Sequence, residues 1–259
     1  MAKQFIFTKA NLLFAPSFWA DDDFVGWIEH FLQELPEYKP HKWNSIEPIN
    51  KPFDLAAIRE LISIGGNLIY WKRSSPPKSQ GEFKSRAKAK PWHAHHSLGL
   101  TASSDAEIQA AIRYCESASQ KFGIDYAHLD TNPDAYKDYG LICDASPFRD
   151  YIYIPSVKLH QNLPDIFWYQ IFGPPYVRLF GLEKLLSAPA YRVAQIAEET
   201  ICIQLSGSVF DMHTNYGAVD AVRQKVKAHI DNNIIFNSNN PPDHIYRIPD
   251  FQFPEKPKS

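Results

Sequence analysis

Apolar residues recur at helical spacing along several stretches of this chain. Phe24, Val25, Trp27, Ile28, Phe31 and Leu32 follow Asp22 and Asp23, whose carboxylates suit the positive end of a helix, and Pro36 stops the run. Ile108, Ala111, Ile112, Cys115 and Phe122 form a second stripe. Ser104 stands at its N-cap, Glu107 completes a capping box, and Gly123 closes it. Val219, Val222, Val226 and Ile230 share one face of a helix expected from Ala218 to Ile230. A shorter helix is read from Asp54 to Ser63, with Leu55, Ile58 and Leu61 on one side and Gly65-Gly66 at its end.

Strands are expected at Leu68 to Trp71, His95 to Thr101, Tyr191 to Ala197 and Thr200 to Ser206. In the last, Ile201, Ile203 and Leu205 alternate with Cys202, Gln204 and Ser206. Both halves end in a strand, a small polar turn and a helix: Leu98 to Phe122, and Ile203 to Ile230. The fold class is therefore α+β, with mixed or antiparallel sheets flanked by helices and a hint of two related α+β halves packed together. Residues 72–91 read as a basic loop, 130–150 as turn-rich, and the Pro-rich tail from Asn239 as irregular and poorly packed. The expected division is an N-terminal segment at 1–71 packed on the body, the loop at 72–91, an α+β core at 92–236 and a tail at 237–259. All of it is expected in one compact domain.

Composition narrows the function. A chain of 259 residues, 44% hydrophobic and 14% aromatic, can bury roughly three-quarters of its unfolded surface. A net charge of -2 gives no global field that favours nucleic acid or an anionic membrane. Cys115, Cys143 and Cys202 are widely spaced and odd in number, which suits reduced, buried thiols in a cytosol rather than a disulfide framework. No apolar run reaches the roughly 18 residues that a membrane span needs. The first twenty residues, cut by Pro16 and followed by Asp21-Asp22-Asp23, make a poor signal peptide. A cytoplasmic protein is expected, with no membrane partner.

Candidate chemistry is thin. His93, His95 and His96 are the obvious metal candidates, but they lack a Cys pair or a second His-Glu element, and partly exposed strand histidines are the better reading. No cofactor and no metal is expected. Asp125, Asp130, Asp134, Asp138 and Asp144 lack the spacing of a Ca²⁺ loop and read as turn formers. Neither a Gly-x-Ser-x-Gly elbow nor a Gly-rich phosphate cradle appears. The run from Lys72 to Lys90 holds seven cations against Glu82 alone, and Phe83 is the one aromatic among them. It reads as a solvated loop, and a nucleic-acid-associated module is the alternative function. Residues 1–71 hold nine acids against six cations. Asp21, Asp22, Asp23, Glu29, Glu34 and Glu37 form the acidic surface singled out as a binding candidate.

The most distinctive stretch is Phe167-Trp168-Tyr169-Gln170-Ile171-Phe172-Gly173-Pro174-Pro175-Tyr176, then Phe180-Gly181, then Leu185 to Pro189. It holds aromatics, glycines and a Pro-Pro pair without a nucleophile or paired acids, so it is built for packing. A short helix from Pro174 through Leu186 is expected. This run, with Tyr191-Arg192-Val193 and the Gln204-Leu205 strand, resembles the bacterial immunity protein 52 family of the polymorphic-toxin and type VI secretion world. The match covers roughly 90–236 and is most specific over 167–206. The resemblance implies an α+β protein without enzymatic activity that binds and neutralises a cognate toxin, a nuclease effector acting in the cytoplasm. It carries over the structural positions Trp168, Gly173, Pro174, Pro175, Tyr176 and Gly181, and no catalytic set. The implied partner is the effector, no nucleic-acid partner is expected, and the aromatic surplus also suits a homo-oligomer contact.

Overall fold

Aromatic and β-branched residues at alternate positions build most of the sheet structure. The computed structural model describes residues 5–15, 21–85, 92–133, 154–237, 239–241 and 243–253, and the side chains of Asp21, Asp22 and Asp23 lie outside the described residues. The chain divides into two compact units, Met1–Gly123 with Gln252–Ser259, and Ile124–Phe251. Both combine antiparallel strands with helices, so the fold is α+β.

The first unit runs β1 (Ile6–Phe14), α1 (Asp21–Glu34), a 3-10 turn (Pro36–Tyr38), β2 (Lys42–Asn44) and β3 (Lys51–Pro52). It continues with α2 (Leu55–Ser63), β4 (Leu68–Arg73), β5 (Ser79–Lys84), β6 (His95–Ala102) and α3 (Asp105–Phe122). Its strands lie in the order β3-β2-β4-β5-β6-β1 with every pairing antiparallel. One sheet face buries Ile69, Trp71, Phe83, His96, Leu98 and Leu100. Phe24, Trp27, Ile28 and Phe31 of α1 and Ile108, Ala111, Tyr114 and Cys115 of α3 complete that core. Each large side chain so buried contributes about 1.5–3 kcal/mol.

Residues 79–84, expected inside a loop, form β5 instead, paired with β4 on one side and β6 on the other. Phe83 is its single large apolar anchor, and backbone pairing on both edges supplies the rest. Gly81 is required there: a Cβ would lie 2.1 Å from the Ser97 carbonyl oxygen and 2.8 Å from the Trp71 ring. The capping box of α3 is also displaced by one residue. Glu107 accepts from the Ser103 backbone N–H at 2.6 Å and from the Ser103 and Ser104 hydroxyls, while Ser104 makes no side-chain cap bond.

His96 sits fully buried inside that aromatic core. It stacks on Phe83 at 3.9 Å between centroids, and its Nδ1 lies 2.7 Å from the Tyr114 hydroxyl, which accepts the Trp27 indole N–H. Burial, with the neighbouring charge of His95, pulls its pKa well below the ordinary imidazole value. His30 is lowered too, by burial and the Lys121 charge, against Glu34. The folded rings therefore stay neutral at a pH where the unfolded chain has taken up protons. Their stabilisation is complete above about pH 6.5 and is lost as pH falls toward their folded pKa values. Unfolding free energy should fall by up to about 1.4 kcal/mol per pH unit below that point through His96, with a smaller contribution of the same sign from His30. Denaturant melts between pH 7 and pH 5 check this, and His96→Phe should flatten the slope.

The second unit runs β7 (Ile124–Thr131), α4 (Ser156–Leu159), β8 (Tyr169–Phe172), α5 (Pro174–Phe180) and α6 (Leu182–Leu186). Then come β9 (Arg192–Ala197), β10 (Thr200–Gln204), α7 (Asp211–Thr214) and α8 (Tyr216–Ile230). Its strands lie in the order β7-β8-β10-β9, again antiparallel. The single helix expected from Pro174 through Leu186 is two, because Gly181 adopts φ +95° and ends α5 before α6 begins. The tail is irregular as expected, yet it packs: Phe251 is buried beside His160 and Tyr176.

Candidate functional site

The acidic positions of the first unit divide along α1. Asp21, Asp22 and Asp23 open the helix, where negative charge suits the dipole. Glu34 ends it and Glu37 follows in the 3-10 turn, both exposed. The two groups are therefore separated by about 20 Å of helix. Glu29 lies between them and is ion-paired with Arg59 of α2, so its charge is partly spent within the unit. Glu34 stands against the helix dipole, with no basic residue in the last turn to balance it.

The distinctive aromatic stretch serves architecture. Gly173 donates its N–H to the Asp125 carbonyl at 3.0 Å, and a Cβ there would lie 1.8 Å from the Ile124 carbonyl oxygen. Pro174 and Pro175 occupy the first turn of α5, where their missing N–H groups cost nothing. Tyr176 is buried against Tyr126, Phe172 and Phe180. Trp168, fully buried, donates its indole N–H to Ser206 at 2.8 Å.

Side chains join backbone bonds, such as the Leu205 N–H to the Trp168 carbonyl at 2.9 Å, in fixing the approach to β8. Asp130 accepts the Trp168 backbone N–H at 3.1 Å, and Gln170 accepts that of Phe167 at 3.0 Å. Asp165 accepts from the Ile166 N–H and from Lys227, each at 2.8 Å. Arg223, 1% exposed, donates to the Ile166 carbonyl at 2.8 Å, to Asp220 at 3.0 Å and to the Tyr216 hydroxyl at 3.2 Å. Asp125 and Asp130 are thus buried residues of β7 and not the turn formers expected of them. The role of Asp130 was hidden because the Trp168 N–H it accepts lies 38 residues downstream. Asp134, Asp138, Asp144 and Cys143 lie outside the described residues.

The three histidines part company. His93 meets the Phe253 ring, His96 belongs to the core, and His95 pairs with Glu82 at 2.7 Å. All three are buried, where partial exposure was expected. Among the described residues no three His, Cys, Asp or Glu side chains converge as metal ligands. Burial would raise the Glu82 pKa, but the His95 hydrogen bond and the charges of His95, Lys9 and Lys84 outweigh it and hold the carboxyl below its usual value. Lys9 goes down to about 8 through burial, against the pull of Glu82. In the basic run, Arg73 is tied to the Lys39 and Pro76 carbonyls and to His41. Arg86, Lys88 and Lys90 lie outside the described residues. Among the described residues no helix is long and apolar enough to cross a membrane.

No family model matches the sequence, and no curated protein matches it. Among solved structures, a Pseudomonas aeruginosa T6SS protein aligns with a TM-score of 0.52 at 8% identity, covering 86% of this chain and 76% of that one. A chain from a complex of the toxic C-terminal tip of CdiA from Pseudomonas aeruginosa with its immune protein aligns at 0.32 and 7% identity, covering 51% and 90%. The first shows a shared fold; the second scores too low to show one.

Proposed function

We propose that this chain is an immunity protein of the immunity protein 52 kind, which binds and neutralises a cognate effector of a type VI secretion system in the cytoplasm without catalysing a reaction. The observation that carries the reading is the fold shared, across most of the chain, with a T6SS protein. The resemblance of Trp168 to Gly181 to the immunity family supports it, and those residues hold the second unit together instead of presenting reactive groups. A nuclease is the effector proposed, since its cleft must be cationic to hold phosphates and carboxylates on α1 can occupy the same field. Glu34 and Glu37 are the exposed carboxylates proposed for contact, with Asp21, Asp22 and Asp23 at the other end of the helix. Glu29 contributes less because Arg59 already engages it. A specific interface would bury about 800 Å² on each partner.

The test is co-expression with the effector encoded beside this gene. Wild-type protein should restore growth and co-purify with the effector. The charge-reversed variant Glu34→Lys/Glu37→Lys should weaken the complex at least about tenfold if those carboxylates meet a cationic cleft. Growth arrest despite abundant folded protein would overturn the reading. Unchanged affinity of the variant would remove only the assignment of the contact face.

A further inference from the structure

The strand register of the first unit assembles a feature that the linear sequence scatters. Lys42 on β2 lies directly opposite Lys72 on β4, Lys72 opposite Gln80 on β5, Gln80 opposite Gly99 on β6, and Gly99 opposite Lys9 on β1. One row thus crosses five strands over about 19 Å, four inter-strand spacings. Side chains alternate along a strand, so the row lies on the face opposite the buried Ile69, Trp71 and Phe83, away from the aromatic core. Lys78, whose carbonyl accepts the Thr101 N–H, extends the same face beside Gln80. Lys84 lies on it at the far end of β5, opposite Leu68 and His95. Lys42, Lys78 and Gln80 are exposed, and Lys72 and Lys84 are half-buried.

Two lysines directly opposite each other across a strand pair repel, and the free protein gains nothing from that arrangement. Among the described residues neither Lys42 nor Lys72 nor Lys78 makes an ion pair. Glu82, on the same face, is engaged by His95 and also faces the charges of Lys9 and Lys84, so the like-charge contact left in the row is that of Lys42 with Lys72, beside Lys78. An anionic occupant laid across the strands would relieve the repulsion. The Phe7 ring lies across the buried Gly99, where a Cβ would come within 2.5 Å of it, so an extended occupant meets the row over β2, β4 and β5.

We infer that the part of the row open on β2, β4 and β5, Lys42, Lys72 and Gln80 with Lys78 beside them, is a docking surface for an acidic segment of a partner protein. The inference rests on the reading of the chain as a protein-binding one, and adds a surface on the sheet face remote from the aromatic core. Its test uses two probes, a poly-glutamate peptide and an oligo-dT of equal length, titrated against full-length protein at low and high salt. Wild type should bind poly-glutamate at low salt and release it at high salt. Lys42→Gln/Lys72→Gln/Lys78→Gln should weaken binding about tenfold, whereas the charge-matched control Lys39→Gln/Lys121→Gln/Lys225→Gln should stay within about twofold. Circular dichroism checks that both variants fold. Equal losses in the two triples, no binding of poly-glutamate, or stronger binding of oligo-dT would each overturn the inference. No effector enters this experiment, so its failure is separate from failure of the co-expression test.

Discussion

Gly173→Ala should unfold the Ile124–Phe251 unit or lower its stability by about 3 kcal/mol or more. The added methyl would sit 1.8 Å from the Ile124 carbonyl oxygen, 2.8 Å from its carbonyl carbon and 2.9 Å from the Asp125 Cα. All three atoms are backbone, so no side chain can rotate away. Relief requires β7 and the β8–α5 junction to separate, which breaks the Gly173 N–H bond to Asp125 and strips packing from Tyr176. Gly217→Ala in α8 is the control, with nothing within 4 Å of the new Cβ. It should be neutral or stabilise by up to about 1 kcal/mol through lower unfolded-chain entropy. Denaturant midpoints of the two variants decide the matter. Equal midpoints would mean that the strands do not approach as described.

Arg223→Ala should cost about 3–5 kcal/mol, because a buried, fully engaged cation leaves several partners stranded when removed. The Ile166 carbonyl loses its donor, Asp220 loses its ion partner, and the Tyr216 hydroxyl loses a neighbour. Arg223→Met should lose less, since it refills the volume and Asp220, 23% exposed, can rehydrate. The Ile166 carbonyl remains unpaired in both, so neither variant recovers wild-type stability. An alanine variant within about 1 kcal/mol of wild type, measured by chemical denaturation, would show that the guanidinium is not what holds the Asp165 to Gln170 approach.

These sites also mark where sequence reading succeeds and where it stops. The stripe of α3 was legible because its apolar positions, its acidic first turn and Gly123 all agree locally. Strand β10 was legible through alternation, and α2 through Asp54, which caps it by accepting from Ala56 and Ala57. Strand β5 was not, because Ser79 to Lys84 carries one apolar anchor and owes its conformation to pairing on both edges. Strand β7 was hidden in another way: Asp125 and Asp130 look like turn carboxylates until the distant Trp168 N–H is seen beside Asp130. Breaking of the Pro174 to Leu186 helix turned on the backbone angle of Gly181 alone. For the candidate surfaces, exposure of Glu34 and Glu37 fits the charge pattern, but the Arg59 partner of Glu29 lies 30 residues away and no local signal announces it. The lysine row is the extreme case, since positions 9, 42, 72 and 78 become neighbours only through strand register.

The most direct measurement of the central claim is a titration of purified chain into the nuclease effector proposed as its partner, with nucleic-acid cleavage as the readout. Cleavage should fall in proportion to added protein and stop near one equivalent, with the chain itself turning over nothing. Undiminished cleavage in the presence of excess folded protein, or turnover of the nucleic acid by the chain alone, would contradict the account.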